Sequence, residues 1–100
     1  MGTITSAGLD LITKERFDQI HRFGFDGVHD YRINNDGQLV YASRVLVSSN
    51  ILSPIQIQTP KGWDESWWIK LCRKPYKERL AIAGAFLAAE LDRIAYIESL

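Results

Sequence analysis

Apolar positions crowd toward the C-terminal end of the chain. Leu80 to Ala89 runs without a polar side chain, and Leu91 and Ile94 extend a four–three alternation that starts at Leu80, Gly84 and Leu87. Ile82, Phe86 and Ala89 make a second apolar stripe. The spacing predicts a helix over about Tyr76 to Ile97. A helix apolar on most of its circumference is buried by several neighbours, in a bundle or across a dimer. Pro75 fits its first position. Gly84, set among Ala83, Ala85, Ala88 and Ala89, permits close helix approach, so Gly84→Leu should overpack that contact at roughly 1–3 kcal/mol.

Upstream, Thr13 to Gly24 reads as a first helix. Thr13 serves as its cap, and Glu15 lies in the first turn, where the helix dipole favours an anion. Phe17, Ile20 and Phe23 recur at three-residue spacing, with Leu11 and Ile12 as packing partners. Lys14 with Asp18, and Asp18 with Arg22, have the i,i+4 spacing of surface ion pairs. Gly24 is placed to end the helix in a left-handed turn. Phe25 to Gly37 reads as a loop. Within it, Asp36-Gly37 is a hairpin turn signal, while Asn35 and Gln38 have the spacing of a capping box. Leu39 to Val47 is ambiguous: its β-branched and aromatic residues favour a strand, yet Leu39, Ala42, Ser43 and Leu46 share one helix face. Ser48 to Gly62 contains Pro54 and Pro60 and reads as an ordered excursion, with a weak strand signal at Ile55-Gln56-Ile57-Gln58. Asp64 caps a short helix from Glu65 to Leu71.

The chain of 100 residues reads as one domain, and its 46% apolar content excludes disorder. A domain this small buries only about two-thirds of its unfolded surface, so self-association into a homo-oligomer is expected. Twelve basic residues balance twelve acidic ones, which leaves no global basic field for duplex nucleic acid. The distribution is uneven. Met1 to Pro60 carries five basic and six acidic residues, Lys61 to Leu80 six and three, and Ala81 to Leu100 one and three. A local positive patch of +3 therefore precedes a −2 tail. Cys72 is the single cysteine, so no intramolecular disulfide forms, and the reduced cytoplasm of a host cell is the expected location. The first residues lack a basic, apolar signal pattern. The longest apolar run is about half the roughly twenty residues needed to span a bilayer, so no membrane partner is expected.

Two constellations could carry chemistry. Trp63, Trp67 and Trp68 fall within six positions and are followed by Lys70, Arg73, Lys74, Lys77 and Arg79. Flat indoles stack on nucleobases and cations neutralise phosphate, so this segment suits a nucleotide-type ligand. Equally, two of the tryptophans would serve an ordinary core, with the cations solvated. His29-Asp30 pairs a group that titrates near neutral pH with a carboxylate, able to move protons or hold a metal; the plainer reading is a turn cap and a satisfied loop histidine. A metal-dependent hydrolase would recruit Glu90, which points away from Asp92 on its helix. The acidic clusters of all-α MazG-type pyrophosphohydrolases are missing. Cys72 reads as a core cysteine more readily than a reactive one.

The order of motifs carries a resemblance. Glu15-Arg16-x-x-Gln19-Ile20 is followed by Gly24-Phe25, His29-Asp30, Gly37-Gln38-Leu39 with Ala42, Gly62-Trp63, and Trp67-Trp68. Arg79-Leu80-x-x-Ala83-Gly84-Ala85-x-Leu87-x-Ala89-Glu90-Leu91-Asp92-Arg93 closes the series. From Glu15 to Ile94 this resembles short phage and prophage accessory proteins, and is similar to the C-terminal block of the Ea-type early proteins of lambdoid phages. Two departures stand out: Tyr31 follows Asp30 where a second acid is common, and the segment after Gly37 is more β-branched. The resemblance implies a mainly helical accessory protein and turns the reading of Leu39 to Val47 toward helix.

The expected fold is mainly α, a small bundle of three to four helices with an irregular proline-containing excursion and a short hairpin as an option. The expected function is non-enzymatic binding of a nucleotide-type anion or a host defence protein, with no cofactor, no metal and no catalytic residue. Trp63, Trp67, Trp68, Lys70, Arg73, Lys77 and Arg79 are the expected contacts, with His29 and Asp30 lining the site. The alternatives are a metal-dependent nucleotide hydrolase using His29, Asp30 and Glu90, and a pure protein–protein inhibitor.

Overall fold

A computed structural model describes residues 6–48 and 57–100 of the chain. The proline-containing excursion falls largely on 49–56, and its Ile55–Gln58 strand signal starts there, outside the described residues. Among the described residues the fold is wholly helical, with five helices where the sequence pattern implied three or four. They are α1 (Ala7–His21), α2 (Gly27–Ile33), α3 (Gln38–Leu46), α4 (Glu65–Cys72) and α5 (Tyr76–Glu98).

Helix α1 starts six residues earlier than its expected Thr13 cap. Ser6 caps it instead, its Oγ accepting from the Leu9 N–H at 3.3 Å. Gly24 ends this stretch as expected, with φ of 73°. Its N–H reaches Ile20 O at 3.1 Å, and that of Phe25 turns back to Gln19 O at 2.8 Å. The helix does not bury the Phe17–Ile20–Phe23 stripe. Phe17 and Phe23 are exposed, whereas Arg16 and Gln19 are buried. Neither surface pair with Asp18 forms. The ion pair of α1 is long-range, from Arg16 to Asp92 on α5.

Helix α2 occupies the stretch expected as a loop. Asp26 caps it, Oδ1 accepting from the His29 N–H at 2.9 Å. The cap is strong, but the helix is too short to show an apolar period. Helix α3 resolves the ambiguous segment as helix, with Leu39, Ala42, Ser43 and Leu46 buried on one face. Gly37, with φ of 78°, stands at its start, so Asn35 forms no capping box and no hairpin forms among the described residues. Gln38 contributes differently: its Oε1 accepts from Asp36 N–H at 2.7 Å, and its Nε2 donates to Ile33 O and Lys61 O. Helix α4 begins at its expected Asp64 cap.

Helix α5 is the hub, with α1, α2 and α3 all laid against it. The stripe it buries is the one expected to be secondary: Ile82, Phe86 and Ala89 are 4%, 0% and 0% exposed. The four–three stripe faces outward, with Leu80, Leu87, Leu91 and Ile94 at 41%, 47%, 68% and 40%. Phe86 packs with Trp68, Leu39 and Leu46 in the centre of the molecule. Close approach at Gly84 is real. A Cβ there would lie 2.6 Å from Ile12 Cδ1. No described helix is long and apolar enough to cross a membrane.

Candidate functional site

Two separate segments bring four aromatic rings around one open cavity of about 370 Å³. Phe23 and Phe25 flank the left-handed Gly24 in the α1–α2 connection. Trp63 and Trp67 come from the approach to α4 and its first turns. A turn with Gly62 at φ of 81° places Trp63, its N–H bonded to Pro60 O at 3.0 Å. Ring centroids lie 5.7 Å apart for Phe23–Trp67, 5.8 Å for Phe25–Trp67 and 5.3 Å for Trp63–Trp67. Tilted and edge arrangements at these separations are the favoured aromatic geometry. Phe86 backs the rings from the core, 5.2 Å from Trp63.

Arg16 fixes the Phe25 side. Its guanidinium donates to Phe25 O at 2.7 Å, to Gln19 Oε1 at 3.3 Å and, through two nitrogens, to Asp92 Oδ2 at 2.6 and 3.1 Å. The connection that carries the aromatic wall is thereby tied to α5.

A polar relay runs behind the cavity. Trp63 Nε1 donates to Asn34 Oδ1 at 2.8 Å, and Asn34 Nδ2 donates to Asp30 Oδ1 at 2.7 Å. His29 Nδ1 lies 3.1 Å from the same oxygen, and its ring stacks on Phe25 at 4.8 Å. Asp30 and Asn34 are fully buried, while His29 lines the cavity with Asn34 and Asp64. Burial pushes the Asp30 carboxyl above its ordinary value, opposed by the hydrogen bonds from Asn34 and His29 and by the charge of Arg16. Among the described residues Asp30 Oδ2 has no hydrogen-bond partner. The pair thus reads as a buried carboxyl orienting a histidine at the cavity wall.

The structure divides the expected site residues into groups. Trp63, Trp67, His29 and Asp30 come together as the cavity and its backing. Trp68 does not join them: it is fully buried in the core, T-shaped to Trp63. Arg79 is 6% exposed and donates to the carbonyls of Lys74, Leu46 and Ser48, where it holds the end of α3. Its guanidinium also rests on Tyr76. Lys70 lines a neighbouring cavity with Glu15, Asp18, Arg22 and Lys74, which meets the aromatic one at Phe23 and Trp67. Arg73 and Lys77 are exposed and line neither cavity. Glu90, named for a hydrolase, is bound by Arg93 through both oxygens. Among the described residues no three His, Cys, Asp or Glu side chains gather as a metal site. Cys72 is buried, and that burial pushes its thiol up to about 11, which suppresses the thiolate.

Phe23, Phe25 and Asn34 are the site residues that sequence reasoning missed. The only signal for them was the flanking of Gly24 by two phenylalanines. Asn34 sits in a polar run with no pattern of its own.

The described residues define a small helical bundle with an open, aromatic-lined cavity. Comparison with known proteins finds no matching family model, no similar curated protein and no similar solved structure.

Proposed function

We propose that the protein acts by binding rather than catalysis, taking the flat ring of a nucleotide-type ligand in the aromatic cavity, in a phage-encoded accessory role directed at a host signal. The observation that carries this reading is the convergence of Phe23, Phe25, Trp63 and Trp67 on one open cavity of ligand size. Ring faces supply stacking, and Asn34, His29 and Asp64 supply polar edges beside them. Among the described residues no lysine or arginine lines the aromatic cavity itself. A phosphate on the ligand would instead reach Arg22 and Lys70, across the ridge that Phe23 and Trp67 share with the neighbouring cavity.

The test is a thermal-shift and tryptophan-fluorescence titration with nucleosides, linear nucleotides and cyclic nucleotides. Binding quenches fluorescence and raises Tm. Trp67→Ala weakens it by roughly 5- to 150-fold, the equivalent of about 1–3 kcal/mol per stacked base. A flat response to all three classes removes the reading. The exposed Phe23 and Ile33 at the rim favour a second reading, in which a host protein inserts a side chain into the same cavity. It predicts indifference to nucleotides and loss of the protein complex in Phe23→Asp.

A further inference from the structure

We infer that the cavity between α1 and α4 is a second ligand site, built for a small zwitterion with an apolar body: a free α-amino acid with an aliphatic side chain. The cavity holds about 300 Å³, the lower end of the range for small-molecule sites. Helix α5 supplies its floor through Ile82 and Phe86, with Leu71 of α4 beside them. All three are buried. Glu15, Asp18, Gln19 and Arg22 line one wall, at the three- and four-residue spacing that puts side chains on one helix face. Lys70 and Lys74 line the other.

Gln19 is the residue that points to a ligand. It is 4% exposed, and its Oε1 accepts from Arg16 Nη1 at 3.3 Å. That bond fixes which way the amide faces and leaves Nε2 as a donor. Among the described residues Nε2 is buried and has no partner. A buried donor without an acceptor is costly, and an acceptor oxygen brought into the cavity removes that cost. The lining charges are unpaired in both signs. Among the described residues no ion pair involves Glu15, Asp18, Arg22 or Lys70, whereas Lys74 is held by Glu78 at 3.6 Å. Burial, and then the neighbouring charge of Asp18, pushes the Glu15 carboxyl above its ordinary value. An ammonium group beside the two carboxylates relieves that repulsion. A carboxylate takes the Gln19 N–H together with the charge of Arg22 or Lys70. In a cavity of this size one small molecule carries both groups, and an aliphatic side chain covers Leu71 and Ile82. A simple anion leaves the two acids unanswered, and a simple amine leaves the buried donor so. Glu15, Gln19, Leu71 and Ile82 line no part of the aromatic cavity, so the assignment does not rest on the nucleotide reading. Arg22 and Lys70 are the cations both ligands would draw on.

Isothermal titration calorimetry with L-leucine, N-acetyl-L-leucine and L-leucinamide tests this. Leucine is expected to bind, and each analogue, lacking one of the two charges, to bind roughly 10-fold or more weakly. Gln19→Glu keeps an acceptor for Arg16 and replaces the free donor with a carboxylate oxygen. It is expected to abolish leucine binding with unchanged helical circular dichroism. Glu15→Gln, at a half-buried position, should narrow the gap between leucine and N-acetyl-leucine. No heat from L-leucine, L-isoleucine or L-valine overturns the proposal. So does equal affinity for leucine and either analogue, and so does a folded Gln19→Glu that binds leucine as the wild type does.

Discussion

Asn34 joins the two halves of the aromatic site, and a single substitution there should be felt at both. Its amide accepts from Trp63 in a part-buried bond and donates to Asp30 in a buried one. Asn34→Leu is expected to cost roughly 1–3 kcal/mol in urea unfolding, because two polar groups lose their partner in a buried setting. Trp63 emission should change in the same variant, since its indole N–H loses its acceptor. Asp30 carries a pH signature. Burial raises its pKa above 3.8 in the folded chain, so the folded state holds the proton more tightly than the unfolded state does. The stability this contributes is complete below the unfolded value and is lost as pH rises through the folded one. Asp30→Asn removes that fall. The urea midpoint of the variant should therefore gain on the wild type as pH rises from about 4 toward neutrality, and a constant difference would refute the assignment. The sequence marked His29-Asp30 as notable but gave no sign of Asn34, since a buried hydrogen-bond relay has no periodicity to read.

At the scale of elements, close packing is decided by single small residues. Gly27 opens α2, and a Cβ there would lie 3.0 Å from the Asp92 carbonyl oxygen and 3.5 Å from Tyr96 Cβ. Backbone cannot yield as a side chain can, so Gly27→Ala is expected to cost about 1–3 kcal/mol, measured by chemical denaturation. Gly84→Ala would place a Cβ 2.6 Å from Ile12 Cδ1 and 2.8 Å from its Cγ1, so the β-branched Ile12 must shift and the cost should be of the same order. Arg79 shows why a charge run misleads. It belongs to the basic segment in sequence, yet its guanidinium is consumed by three carbonyls at the α3 end and before α5. Arg79→Met should destabilise the fold by roughly 1–3 kcal/mol, through carbonyls left without this donor. Any ligand affinity that survives folding should be unchanged. The Asp64 cap was legible because a cap is local, and α4 starts where the sequence put it; Pro75, expected as the first residue of α5, stands one position before it. Helix α2 was missed because seven residues offer no period, although Asp26 was there to cap it.

For the whole molecule, the outward stripe of α5 leaves four large apolar side chains at least 40% exposed. If a second copy covers it, mass action raises the Tm of the wild type with protein concentration, while Leu87→Glu shows no such rise. A concentration-independent Tm in both would argue against self-association. The sequence by itself determined the helical class, the cap of α4 and the turn at Gly24, and it named Leu39, Ala42, Ser43 and Leu46 as the shared face should that ambiguous segment be helical. These follow from periodicity and from hydrogen bonds between residues a few positions apart. Only the tertiary structure decided which of the two α5 stripes is buried, because both have the spacing of a core and the choice depends on where α1, α2 and α3 pack. It also decided that Trp68 and Arg79 serve the interior while Phe23 and Phe25 face the cavity. Partners far apart in the chain, such as Arg16 with Asp92 and Trp63 with Asn34, meet only when the helices do.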